Sequence, residues 1–127
     1  MEWKKKSAAI LSTLAIAGGG MIVTAAPASA VADCPTARLC IYDGTNFTGD
    51  RITSASTNAC FYPWDTSAFN SIRSYVSNSS VTAKVWEYNG SSYTAVRTMP
   101  AGGFSSDIGT AVGGGYWDKV CLGNATP

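Results

Sequence analysis

The 127-residue chain contains no histidine. That absence removes the general base of Ser-His-Asp and Cys-His sites, and with it the commonest neutral metal ligand. Charge is also sparse, with Asp, Glu, Lys and Arg making up 13% of the chain. After Lys6 the basic residues are all isolated, so no stretch marks a nucleic-acid or anionic-membrane surface. Glutamate occurs only at Glu2 and Glu87, and no pair of carboxylates stands out for glycoside hydrolysis. No C-x-x-C spacing occurs, so the cysteines lack a zinc-site pattern. Beyond Val23 no apolar run is long enough to span a bilayer. These absences together predict a protein that is not an enzyme.

The N-terminus carries a definite pattern. Lys4-Lys5-Lys6 precede an apolar run from Ala8 to Val23, and the segment ends Ala28-Ser29-Ala30. A basic start, an apolar middle and an A-x-A ending predict a secretory signal peptide over residues 1–30, leaving 31–127 as a single domain. Gly18-Gly19-Gly20 within the run, and the small residues that close it, weigh against a retained anchor. Removing Lys4, Lys5, Lys6 and Glu2 from nine basic and eight acidic residues leaves six and seven, a net charge of −1. The expected product is an extracellular monomer without a nucleic-acid or membrane partner. All four cysteines, Cys34, Cys40, Cys60 and Cys121, fall after the cleavage point. An even count in a small exported chain predicts two disulfides. Three pairings are possible; Cys34–Cys40 with Cys60–Cys121 is preferred, bracing the N-terminus and tying the C-terminal strand to the middle of the chain.

The segments 37–42, 50–54, 71–77, 81–88 and 94–99 are short, rich in β-branched and aromatic residues, and bounded by turn formers. They read as strands of an all-β domain. Alternation over 81–88 puts Val81, Ala83, Val85 and Glu87 on one face and Thr82, Lys84, Trp86 and Tyr88 on the other, so neither face is cleanly apolar. A repeat then appears. Tyr42-Asp-Gly-Thr-Asn-Phe47-Thr-Gly49 matches Tyr88-Asn-Gly-Ser-Ser-Tyr93-Thr-Ala95 in spacing, with Arg51 and Arg97 each four places after the second aromatic. "FNSIRS" (69–74) and "SSDIGT" (105–110) form a further candidate pair. Two β units, about 34–80 and 81–123, predict a sandwich of two Greek-key motifs. Tyr42 with Phe47 and Tyr88 with Tyr93 are expected to pack across folded hairpins, Gly49 allowing close backbone approach. Trp64, Trp86 and Trp117 are assigned to the core rather than to a sugar-binding platform.

The aromatic-x-x-x-x-aromatic-x-Gly spacing resembles the Greek-key signature of the βγ-crystallins. "CPTARLCIYDGTNFTGDR" (34–51) is similar to small exported proteins of the βγ-crystallin-like peptidase inhibitor family. The resemblance covers roughly Cys34 to Gly123 and implies a disulfide-braced βγ-crystallin-like sandwich that blocks peptidases, as the metalloproteinase inhibitor typifying that family does. It also points to a calcium segment of the form Asn/Asp, Asn/Asp, two variable residues, Ser/Thr, Ser. By position, Asn70 and Ser74 in the first copy and Ser106 and Thr110 in the second retain oxygen donors, while Phe69, Arg73, Ser105 and Gly109 do not match. The expectation is that no cofactor is needed.

Three functions follow from these readings. The first is secreted inhibition of an extracellular peptidase. The second is an extracellular stability or calcium-binding module, and the third an antimicrobial or cell-wall-binding protein. No residue pattern identifies the inhibitory contact. The candidate loops are "SNSS" (77–80), "YNGSSY" (88–93) and "AGGFSSD" (101–107).

Overall fold

A computed structural model describes Val31 and residues 33–127. The expected signal segment, 1–30, lies outside the described residues. Among the described residues eight strands form: β1 (Leu39–Tyr42), β2 (Arg51–Ser54), β3 (Cys60–Phe61), β4 (Ser74–Ser77), β5 (Ala83–Tyr88), β6 (Tyr93–Met99), β7 (Phe104–Ser105) and β8 (Lys119–Leu122). A 3-10 turn spans Pro63–Asp65. Proline opens that turn at no hydrogen-bond cost, because the first N–H of a helical turn has no internal partner.

Two four-stranded antiparallel sheets result, in the orders β2-β1-β4-β7 and β3-β8-β5-β6. In the first half of the chain β4 returns to lie beside β1, while β3 crosses to pair with β8. The second half repeats this: β8 lies beside β5, and β7 crosses to pair with β4. Each half therefore supplies one strand to the other's sheet.

Alternation decides what the sheets enclose. Leu39, Ile41 and Tyr75 from one sheet meet Ala83, Val85, Met99, Val120 and Leu122 from the other, and Phe69, Ile72, Ile108 and Val112 close the ends. β5 points Ala83 and Val85 into this core, while the other face of the strand carries exposed Lys84 and half-buried Trp86. A register shift between Val85 and Trp86 ends the strict alternation, which accounts for the mixed faces in the sequence. All four β1 residues are buried. Leu39 and Ile41 enter the main core, and Cys40 and Tyr42 enter a second cluster with Cys34, Val76 and Phe47. A strand buried on both faces has no polar side to display.

The disulfides are Cys34–Cys40 and Cys60–Cys121, and the described residues include no free cysteine. The chain is thus a disulfide-braced all-β sandwich.

Tyr75 is 4% exposed, and burial raises its phenol above the usual value, partly opposed by the nearby Arg97 guanidinium. Above about pH 10 the unfolded chain releases this proton while the folded chain retains it, so stability falls as pH rises through that range. Denaturant melts between pH 8 and 11 should show the decline, and Tyr75→Phe should flatten it. The disulfides make a second prediction. Their sequence separations are 61 and 6, and loop-closure entropy gives about 4 and about 2 kcal/mol respectively. Paired Cys→Ala replacement of Cys60 and Cys121 should therefore lower the unfolding free energy more than replacement of Cys34 and Cys40. Equal losses in urea melts would refute that order.

Candidate functional site

The two copies of the repeated pattern fold differently. In the first, Asp43 to Asp50 loop out between Tyr42 and Arg51, the last opposed pair of β1 and β2. Asn46 and Phe47 take left-handed backbone, with φ of 57° and 60°. Phe47 turns back so that its ring meets Tyr42 edge-on, with centroids 5.9 Å apart. Gly49 has φ +82°, and a Cβ there would overlap Asp43 Oδ1, the acceptor of the Asp50 N–H at 2.8 Å. Other groups of the loop are also engaged. Asn46 N–H donates to the Ser106 carbonyl, Phe47 N–H to Ser74 Oγ, and Ser74 Oγ–H to the Gly44 carbonyl. "YDGTNFTG" is a device for covering the outer face of β1.

In the second copy Tyr93 pairs directly with Tyr88 across β5 and β6, leaving only Asn89 to Ser92 as the loop. Ala95 lies within β6 opposite Trp86. No left-handed backbone is needed there, so alanine fits where the first copy requires glycine. The turn is held by Asn89. Its N–H donates to the Ser92 carbonyl, and its Oδ1 accepts from Ser91 and Ser92 at 2.9 Å each. Asn89 to Ser92 are all exposed, and Gly90 faces open space. Tyr88 and Tyr93 touch, at 4.9 Å between centroids, but Tyr88 is 37% exposed.

The pairing of "FNSIRS" with "SSDIGT" needs correction. Ile72 and Ile108 are both buried, but Ser74 starts β4, the strand beside β1, whereas β8, the strand beside β5, starts at Lys119. The second-half counterpart of 69–74 is therefore the stretch before Lys119, which carries Tyr116 and Trp117. Among the residues carried over as metal donors, Ser74 is fully buried and its hydroxyl is engaged by Phe47 and Gly44. Asn70, Ser106 and Thr110 are exposed loop residues. Among the described residues no group of three or more His, Cys, Asp or Glu gathers for a metal.

Two of the three tryptophans assigned to the core lie at the surface. Trp64 and Trp117 are 51% and 53% exposed, and Tyr116 beside them is 58% exposed. Trp86 is half-buried and stands apart, beside Lys84 and the residues from Gly123 to Thr126. At the β5–β6 turn end of the second sheet the rings form a continuous chain. Trp64 meets Tyr116 at 5.4 Å, Tyr116 meets Trp117 at 4.8 Å, and Trp117 meets Tyr62 at 6.3 Å. Lys119 Nζ then sits 4.9 Å from the Tyr62 ring centre and 5.5 Å from that of Tyr93. Tyr62, Tyr88, Tyr93 and Trp117 line a groove of about 410 Å³.

Asp118, only 5% exposed, fixes this arrangement. Its Oδ1 accepts the Tyr88 N–H at 3.0 Å and its Oδ2 the Gly115 N–H at 2.7 Å. The carboxylate ties the loop bearing Tyr116 and Trp117 to the base of the 88–93 turn. Tyr93 Oη–H adds a bond to the Trp117 carbonyl at 2.9 Å. Gly113 to Gly115 let the chain pass close over Ile72, Ser71 and the Asp118 carboxylate. That triple glycine was the local sign of a chain path too tight for side chains.

The other candidate loops are less free. In 77–80, Ser77 and Ser79 are buried, and Asn78 Nδ2 donates to the Cys34 carbonyl at 2.6 Å. In 101–107, Phe104 and Ser105 are paired to β4. The two aromatic pairs should separate energetically. Phe47→Ala should cost about 2 kcal/mol, below the usual range for a fully buried ring because Phe47 is half-buried. Tyr88→Ala should stay within about 0.5 kcal/mol. Urea melts of both variants check this, and equal losses would mean that the second pair is also a folding element.

No curated protein and no solved structure matches this chain. Among protein families, residues 27–98 match peptidase inhibitor family I36, over more than half of the 127 residues. The match takes in β1 to β5, the 88–93 turn, Tyr62, Tyr88 and Tyr93 of the aromatic groove, and Trp64. On that match the chain belongs to peptidase inhibitor family I36.

Proposed function

We propose that the chain is exported, cleaved after Ala30, and acts outside the cell as a monomeric inhibitor of a zinc metallopeptidase. Membership of a peptidase inhibitor family carries this reading. The metallopeptidase class rests on the resemblance to the βγ-crystallin-like inhibitors, which the reciprocal placing of β3 and β7 in opposite sheets supports. Among the described residues no helix is long and apolar enough to cross a membrane. The A-x-A ending of the N-terminal segment supports export.

The scaffold suits inhibition for a physical reason. A loop already held in one conformation loses little entropy when it docks. Of the three candidate loops, 88–93 has its four central residues all exposed and is internally locked, by Asn89 Oδ1 and the Asn89–Ser92 backbone bond. The inhibitor needs no calcium on this reading, because the Ser74 hydroxyl is engaged within the fold and Arg73 offers no oxygen ligand.

The test is a panel of purified metallo-, serine and cysteine peptidases assayed with stoichiometric and excess mature protein. One metallopeptidase should be blocked, equally with calcium-loaded and demetallated inhibitor. The demetallated preparation is made before the zinc enzyme is added. Absence of inhibition across the panel at high micromolar protein would sink the reading. Inhibition only with calcium would instead make the fold a metal-dependent module.

A further inference from the structure

We propose that the aromatic groove around Lys119 is the surface that grips the peptidase, and that it receives an acidic side chain of the enzyme. This rests on the reading of the chain as a peptidase inhibitor and goes beyond it by naming the contact and the chemistry of the partner.

The patch is unusual in composition. Tyr62, Trp64, Tyr88, Tyr93, Tyr116 and Trp117 provide only Tyr and Trp rings, three of them more than half exposed. In a domain of this size such rings are normally buried, and contiguous exposed apolar surface marks an interaction site. Tyr and Trp are also the residues that dominate the energetic centres of protein interfaces.

The rings are held in place. Trp64 sits in the turn opened by buried Pro63, two residues beyond the β3–β8 pair that Cys60–Cys121 locks. Tyr116 and Trp117 are fastened by Asp118, and Tyr88 and Tyr93 face each other across paired strands. Little backbone freedom remains to be lost on docking.

Shape separates a protein partner from a polysaccharide. A sugar ring stacks best on a flat, open aromatic face. Here neighbouring rings meet at 44° to 69°, which makes walls and a cleft rather than a platform. A cleft suits a projecting side chain. Charge then selects which side chain. The Lys119 ammonium lies against the Tyr62 and Tyr93 rings, and among the described residues no carboxylate pairs with it. Asp118, its neighbour in sequence, is turned inward with both oxygens engaged by N–H groups. A partner carboxylate entering the groove would meet this ammonium in a largely apolar setting, where an ion pair is stronger than in water.

The groove is continuous with the 88–93 turn, since Tyr88 and Tyr93 are both its walls and the turn's ends. The backbone of the turn is already used: the N–H groups of Asn89, Ser91 and Ser92 all bond within it. It cannot pair as an extended strand with an enzyme cleft in the manner of a substrate. Contact is therefore by side chains, and the bound turn stays intact.

The experiment measures the inhibition constant of full mature protein against a metallopeptidase that wild type blocks. The variants are Tyr116→Ala, Trp117→Ala and Lys119→Glu, with Val96→Ser as an exposed apolar control on β6. Melting temperatures establish that each variant is folded. The three groove variants should weaken inhibition at least tenfold, Val96→Ser less than twofold. Wild-type association should slow with added salt, an effect that Lys119→Glu reverses. Mass spectrometry after prolonged incubation should find the turn uncleaved. If folded groove variants inhibit within twofold of wild type, the groove is not the contact, although the inhibitor reading stands. If wild type inhibits no enzyme in the panel, both statements fall. Retention on insoluble peptidoglycan or chitin that these substitutions abolish, with inhibition untouched, would assign the groove to a glycan and overturn the proposal.

Discussion

The Cys60–Cys121 bridge is the constraint from which the functional end of the molecule follows. β3 is two residues long and pairs only with β8, through Cys60 opposite Cys121 and Phe61 opposite Val120. Two half-buried side chains offer little burial to hold a strand in place. The covalent link does so instead. Once β3 is fixed, Tyr62 and Trp64 emerge beside Lys119, Tyr116 and Trp117. Without the bridge, the rings contributed by the first half would not be held against those of the second.

The two halves solve one problem with different chemistry. In each, a hairpin must be fastened to the strand that returns beside it. Ser74 does this in the first half, accepting from Phe47 and donating to Gly44. Asp118 does it in the second, accepting from Tyr88 and Gly115. Ser74 closes a loop that folds back on the sheet and buries its aromatic ring. Asp118 closes a turn that extends away and leaves its aromatics in the open. The difference separates a hairpin that stabilises from a hairpin that helps present a surface.

Much of this was legible in the chain. Five of the strands, the presence of two disulfides and the contact of each aromatic pair follow from composition, cysteine count and spacing, while the disulfide pairing found was one of three that the count left open. β3 and β7 were not legible, because two residues carry no period and each strand depends on a distant partner, and the four-residue β8 was expected only as a C-terminal strand without bounds. The mismatch of 105–110 with 69–74 has a similar origin. Ile72 and Ile108 align by shared burial, but only chain tracing reveals that β8 begins at Lys119. The exposed tryptophans were misassigned because burial is the usual fate of large rings. Their local context carried the contrary signal: Trp64 follows a proline in a loop, and Trp117 follows three glycines. The tie that Asp118 makes to the 88–93 turn could not be read, since Tyr88 reaches it only through folding.

The reciprocal crossing of β3 and β7 has a consequence for ancestry and assembly. A single half, cut from its neighbour near residue 80, would have three strands in one sheet and a fourth displaced from it. Its exposed edge would match what another copy of the same half displaces. Two such halves related by a twofold axis would complete each other's sheets. Joining two copies head to tail makes the partnership intramolecular, which removes its dependence on concentration. It also frees each half to change alone. One hairpin could then remain a stabilising element while the other stayed open beside the Tyr and Trp rings, a surface that a symmetric dimer would have displayed twice.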